Sequence, residues 1–405
     1  MKRESKPDVA SGDPSLPEQI LAVAAQPPQL RSICHVLSGD CWAGAEVQAA
    51  TLVSALCRNG NLQLSAIVLN EGRLASELRQ AGAIVKVIPE SQNSFPQILH
   101  KAVPFVRQQH VQVLHSHRYK ENLLSHFLAL CCRVPVIVRT KHGMPEPFKG
   151  WSSLRQSFYQ QFDRWTGRFA ADAIIGVSAA MEQQLRLEYG SRKVVTIRNG
   201  LDTANVVSRF SREEAKAHIG CTLAPVIGMV GRLEPVKRVD LFLAMAGIVA
   251  NVIPDVQFVV AGDGALRQSL LSCTRQPGLQ DNVRFLGHRE DIHDVLRALD
   301  VLVMCSDHEG LPMVLLEALW LGVPVVARAV GGIREIVENG RNGFTVSSSL
   351  PEDFAAACLR LLADHTLGED LCRNAAEDIK REFSMESNAE SILGLYRKLY
   401  ARSRH

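Results

Sequence analysis

Val301-Leu302-Val303-Met304-Cys305-Ser306-Asp307-His308-Glu309-Gly310-Leu311-Pro312-Met313-Val314-Leu315-Leu316-Glu317 carries the pattern from which the architecture can be built. Its first four residues are apolar without alternation, as in a strand covered on both faces. After a short loop, a nearly unbroken apolar run reads as a helix over 312–321. Pro312 would open that helix at a position where its missing N–H costs nothing. Strand, loop and buried helix in this order form the unit of a parallel sheet with crossover helices. The loop stands at the strand's carboxyl end, where open α/β sheets bind ligands. Glu309 lies in that loop, and Glu317 follows eight residues on, inside the apolar stripe. A carboxylate there is expensive without a partner. A ribose, with two hydroxyls that donate hydrogen bonds, would serve; an ion pair to a neighbouring basic residue is the structural alternative. For Glu309 the alternative is a solvated loop acid.

The same grammar runs outward in both directions. Strands are predicted over 225–229, 256–261, 283–286, 301–304, 324–328 and 343–346, with helices over 238–251, 265–276, 292–298, 312–321 and 333–338. Three closing helices follow, over 351–364, 368–382 and 385–402. Towards the N-terminus, strands over 31–37, 64–69, 84–88, 111–115, 134–140, 173–177 and 193–197 alternate with helices over 46–59, 74–81, 95–109, 120–132, 153–170 and 179–189. The pattern breaks at the turn-rich Asn199-Gly200-Leu201-Asp202. Two doubly wound α/β domains facing each other are therefore expected: an N-terminal domain over 32–205 and a second over 206–383. A last helix over 384–405 is expected to pack back on the first domain, and 1–31 to be a flexible tail.

A chain of 405 residues, 46% apolar and 21% charged, suits two ordinary cores. The net charge of +3 and the lack of a basic stripe exclude nucleic acid as the expected partner. Ten cysteines without a C-x-x-C pair offer no zinc spacing. With no signal-peptide pattern or ~18-residue apolar run, a reducing cytoplasm is the expected location.

Three further loops could carry chemistry. In Gly39-Asp40-Cys41-Trp42-Ala43-Gly44-Ala45-Glu46, Gly44 permits close backbone approach just before a helix start. A tight strand-to-helix turn explains it equally, and the G-x-G-x-x-G dinucleotide fingerprint is absent. Gly228-Met229-Val230-Gly231-Arg232-Leu233-Glu234-Pro235-Val236-Lys237-Arg238 places three cations within seven residues around a turn. A diphosphate needs such a set: a forked guanidinium, a point-charge ammonium and a helix start behind them. Gly262-Asp263-Gly264, after another apolar strand, suggests backbone brought close to a ligand, or a cap made by Asp263.

Together these segments resemble glycosyltransferase family four, a retaining family with the GT-B fold of two Rossmann-like domains and an interdomain cleft. Glu309 and Glu317 match its E-x7-E motif, Gly231–Arg238 its G-R-x-x-x-x-K segment, Gly262–Gly264 its G-x-G turn and Asn199–Asp202 its N-G-x-D linker. The resemblance spans about 32–402. It implies that Arg232 and Lys237 hold the donor diphosphate, Glu309 the hydroxyls of the transferred sugar and Glu317 the ribose. His288 and its loop would pass the base. His142, in Thr140-Lys141-His142-Gly143, would lie near the transferred sugar, making His142, Arg232, Lys237 and Glu309 the catalytic set. Gly44, Gly231, Gly262, Asp263, Gly264, Gly310 and Leu311 would complete the donor site. The family's Gly-Gly pair is Ala43-Gly44 here, which bears on acceptor geometry. His115-Ser116-His117 is also family-like, without a defined role.

The expected reaction transfers a sugar from a nucleotide-diphosphate sugar, UDP before GDP, to a glycan or lipid-linked acceptor in cell-surface polysaccharide or glycoconjugate synthesis. No cofactor is expected, and without a D-x-D triad no metal. Aromatics and arginines over 149–169 fit a core-packing helix, or one in peripheral contact with the inner membrane surface. The alternatives are a nucleotide-sugar epimerase and a catalytically silent sugar-nucleotide-binding subunit.

Overall fold

The computed structural model describes residues 29–39, 42–143, 153–274 and 279–404. Most of the expected tail, Asp40, Cys41, Trp151 and the end of the helix expected over 265–276 lie outside the described residues, as do the side chains of Arg155, Phe158 and Tyr159.

Seven strands form the first sheet: β1 Ser32–Leu37, β2 Gln63–Val68, β3 Ile84–Val87, β4 Val113–Ser116, β5 Val136–Lys141, β6 Ala173–Gly176 and β7 Val194–Thr196. Their order is β3-β2-β1-β4-β5-β6-β7, with every pair parallel. Six more, β8 Val226–Val230, β9 Gln257–Ala261, β10 Val283–Gly287, β11 Val301–Met304, β12 Val325–Arg328 and β13 Phe344–Val346, form the second sheet. It too is wholly parallel, in the order β10-β9-β8-β11-β12-β13. The two doubly wound domains expected from the sequence are thus observed. Each winds outward from a switch point, between β1 and β4 in the first sheet and between β8 and β11 in the second. A crevice opens at such a point.

Strands β1, β4, β6 and β11 are buried at every position, as unalternating apolar runs require. Some helices begin where side chains meet their free N–H groups. Ser211 and Glu214 close a capping box, and Asp364 accepts from the Leu367 N–H at 3.0 Å. That second cap starts helix His365–Glu382 three residues before the expected 368. Two further boundaries differ from expectation. Pro312 is not the first helical residue but the extended residue before helix Met313–Trp320. Arg238, expected to open a helix, is left-handed at φ +52° and joins the one-turn 3-10 helix Pro235–Lys237 to helix Val239–Val252.

Helix Met385–Arg402 returns to the first domain. Met385, Ile392, Leu393, Tyr396 and Tyr400 join the core that holds Ile33, Leu52, Val113 and Val138. Another apolar cluster runs from Ile174 and Met181 in the first domain through Leu201 to Leu302, Leu311 and Leu315 in the second. Among the described residues no helix is long and apolar enough to cross a membrane.

Candidate functional site

The loops at the carboxyl ends of β8, β9, β10 and β11 are tied together by their backbones. Gly231 N–H donates to the Ala261 carbonyl (3.0 Å), Leu233 N–H to Asp263 (2.9 Å) and Gly262 N–H to Gly287 (2.8 Å). Asp307 N–H donates to the Val236 carbonyl at 2.8 Å, linking the loops on either side of the switch point. Such closeness dictates glycine: a Cβ on Gly262 would stand 1.8 Å from the Gly231 carbonyl oxygen.

This stitching brings Lys237 to Glu309. Lys237 Nζ donates to Glu309 Oε1 at 2.5 Å, and Ser306 Oγ donates to the same oxygen at 2.6 Å. Glu309 is buried and Lys237 half-buried, so this ammonium and carboxylate face each other largely out of water. A cation, a carboxylate and a hydroxyl are therefore held at the crevice, ready to exchange partners with an anionic, hydroxyl-rich ligand.

Glu317 lies further along helix Met313–Trp320 and is buried. Among the described residues its carboxyl has neither the anticipated ion pair nor a side-chain hydrogen bond. Burial raises its pKa from the usual 4.5 to about 7. Arg232 and His288 are exposed on the same edge, in the loops after β8 and β10. Asp263, also exposed, does not cap a helix; its Oδ1 accepts from the Gly264 N–H at 2.8 Å, and the next helix begins only at Arg267.

The first domain closes the site from above. A Cβ on Gly310 would meet the His142 carbonyl oxygen at 2.2 Å, so the two domains touch there through bare backbone. The Leu311 carbonyl accepts from Asn199 Nδ2 at 3.0 Å. Gly44 opens helix Gly44–Cys57 opposite Met313, whose Cγ would be 3.6 Å from a Cβ placed there. Ala43 is extended, at φ −137°, a conformation any residue adopts, so its departure from Gly-Gly strains nothing. Burial lowers the His142 pKa to about 4, with Arg118 adding repulsion.

Contacts thus chain together His142, Gly310, Glu309 and Lys237, with the glycine turn at Gly231 against the Lys237 stem and Gly262 packed on Gly231 in turn. Among the described residues no side-chain hydrogen bond or ion pair joins Glu317 or His288 to these groups. Ser306, which holds Glu309, was not singled out from the sequence. Nor was His35, which with His117 lies beneath His142; His117 stood only in a family-like triplet without a role, and a serine three residues before the acid was the one local signal for Ser306.

Two doubly wound domains with this constellation at the second domain's switch point define the GT-B class of sugar-transferring enzymes. The family model described as "Glycosyltransferase Family 4" matches residues 42–205, and that described as "Glycosyl transferases group 1" matches 224–364. The alpha-maltose-1-phosphate synthase of Mycolicibacterium smegmatis is 30% identical over 71% of this chain and 79% of its own. The UDP-Gal:alpha-D-GlcNAc-diphosphoundecaprenol alpha-1,3-galactosyltransferase of Escherichia coli is 28% identical over 72% and 76%. The structure of Anabaena HepE in complex with UDP-glucose superposes with a TM-score of 0.78 at 20% identity, covering 91% of this chain and 99% of that one, a likeness of fold. The chain belongs to glycosyltransferase family 4 and is a glycosyltransferase. The epimerase and silent-subunit alternatives are not favoured.

Proposed function

We propose that the chain is a retaining transferase that moves a sugar from a UDP-sugar to a glycan or lipid-linked acceptor, without a metal, in the assembly of a cell-surface polysaccharide or glycoconjugate. The observation that supports this best is the Lys237–Glu309–Ser306 cluster at the crevice between β8 and β11. When the donor enters, Lys237 turns from Glu309 to the diphosphate, where Arg232 joins it. The freed Glu309 carboxylate takes hydroxyls of the transferred sugar, held from the other side by Ser306. Departure of the nucleotide diphosphate builds charge on the β-phosphate, and the two cations stabilise it. Glu317 accepts from the ribose hydroxyls, the loop of His288 passes the base, and the glycine turns at Gly231, Gly262 and Gly264 let backbone approach the phosphates. His142, at its contact with Gly310, lies over the transferred sugar. A covalent intermediate would need a carboxylate on the opposite face of the sugar, and none stands out among the described residues, which favours transfer on the front face through an oxocarbenium-like transition state. UDP is preferred over GDP because the Escherichia coli relative is named for UDP-Gal and HepE was solved with UDP-glucose.

A thermal-shift panel of UDP-, GDP- and ADP-sugars tests the donor: a ligand at 100 times its Kd stabilises by ~2.7 kcal/mol. Stabilisation by GDP- or ADP-sugars alone would reject UDP. Glu309→Ala is expected to abolish both transfer and donor hydrolysis, and activity retained in it would remove the assigned centre.

The helix Ser153–Phe169 supports peripheral contact with the cytoplasmic membrane face. Asp163, Thr166 and Gly167 turn inward, while Trp165 and Phe169 are exposed beside Arg164 and Arg168. Co-sedimentation with anionic liposomes at low salt is expected, and its loss in a Trp165→Ser/Phe169→Ser double variant. A wild-type protein that stays in the supernatant refutes the contact.

A further inference from the structure

The strand order β1-β4-β5 lines up three histidines that are far apart in sequence. His35 lies on β1, His117 directly after β4 and His142 directly after β5. His35 Nδ1 is 3.3 Å from His117 Nε2, and His117 Nδ1 is 3.0 Å from His142 Nε2. The paired ring planes lie within 21° and 16° of each other, with centroids 5.6 and 5.3 Å apart. Those separations exceed the N···N distances by about two ring radii, so the rings meet edge to edge, as in-plane N–H···N bonds require. A metal is not needed to explain the cluster, although nitrogens of His35, His115 and His117 lie within 4.8 Å of one another. Both His115 nitrogens are taken by the Tyr396 hydroxyl and Thr140 Oγ1, and both His117 nitrogens by the row.

Burial keeps the row neutral, with pKa values lowered to about 3 for His35 and about 4 for His142, and well below the usual value for His117. A neutral imidazole has one donor and one acceptor, so all protons of the row must point the same way. One polarity ends with an N–H on His35 Nε2, the other with an N–H on His142 Nδ1. Neither of these terminal nitrogens has a partner among the described residues. His35 is fully buried, and an N–H orphaned there is worse tolerated than an orphaned lone pair. His142 Nδ1 is likewise enclosed in the ligand-free chain, but His142 alone of the three keeps exposed surface, at the interdomain end beside Gly310, so only that end of the row can gain a partner from a bound ligand. We propose that His35 and His117 are positioning residues: they donate along the row, fix the His142 proton on Nδ1 and make that nitrogen a hydrogen-bond donor to the transferred sugar. The last step rests on the reading of His142 as a sugar contact.

Side-chain ¹⁵N NMR of the full, histidine-labelled protein tests this, with His142 assigned by the signals lost in His142→Ala. In the wild type at neutral pH, Nδ1 of His142 is expected to be protonated and Nε2 bare. His117→Leu removes the donor, and His142 should drift to the Nε2–H tautomer that free histidine prefers. In that variant kcat should fall about tenfold, the worth of one neutral hydrogen bond, with little change in donor KM. His117→Asn, whose amide N–H can stand where Nδ1 stood, should restore both tautomer and kcat. A wild-type proton on Nε2, or a tautomer indifferent to His117→Leu, overturns the row's polarity; the wild-type spectrum decides this even if a variant fails to fold. A tautomer that shifts as expected while kcat stays constant overturns the positioning role and His142's place at the sugar. The UDP-sugar panel judges the donor assignment separately.

Discussion

Glu317 combines burial with the lack of a side-chain partner among the described residues, and this gives it a measurable pH signature. Because its pKa rises from 4.5 to about 7, the folded chain holds a proton that the unfolded chain has lost between those values. The neutral acid's contribution is complete below 4.5 and disappears as pH climbs through 7. Glu317→Gln should therefore leave stability unchanged near ~pH 4 and raise it by about 3 kcal/mol near ~pH 8 in ligand-free protein. Denaturant melts at the two pH values check this, and equal effects at both would contradict it. If the carboxylate form accepts from ribose, wild-type donor affinity should also weaken as pH falls below 7, and the variant should lose that slope. Glu317 was legible in the sequence because an acid inside a buried stripe is conspicuous in one helix. His35 was not, and His117 showed only as part of a triplet without a role, since only the strand order makes them neighbours of His142.

Among the elements, the loops after β8 and β9 depend on contact between main chains. Gly262→Ala forces a Cβ to within 1.8 Å of the Gly231 carbonyl oxygen, at a φ of +142° that side chains avoid. The loop bearing Arg232 and Lys237 must then move. The expected result is a donor KM raised at least ~10-fold with a stability loss of ~1–3 kcal/mol, measured by donor titration and thermal melts of the same sample. Unchanged donor affinity would detach this turn from the donor site. Strand positions were readable from unbroken apolar runs such as Val301–Met304, and the Ser211 capping box from its spacing. The 3-10 turn Pro235–Lys237 was hidden, because its hydrogen bonds span three residues and leave no apolar period.

At the scale of the whole molecule, the first domain's core includes side chains supplied by the last helix. Tyr396 is fully buried there, with its hydroxyl on His115 Nδ1. Tyr396→Ala should cost ~3–5 kcal/mol and, if the domains melt separately, lower the first domain's transition more than the second's. Calorimetry would resolve the two, and a shift confined to the second would contradict this packing. The doubly wound order followed from alternating strands and helices, whereas which side chains of the last helix reach the first sheet depends on three-dimensional packing.

That returning helix also sets a schedule for biosynthesis. The ribosome completes Ile33, Leu52 and Val138 long before Tyr396, so the N-terminal half emerges with a greasy face that nothing local can cover. The second half, whose own sheet and flanking helices precede residue 385, can mature first. Until residue 400 has been made, the nascent first half is a natural client for holding chaperones, and a stop codon placed before residue 385 would harm the part of the protein translated earliest.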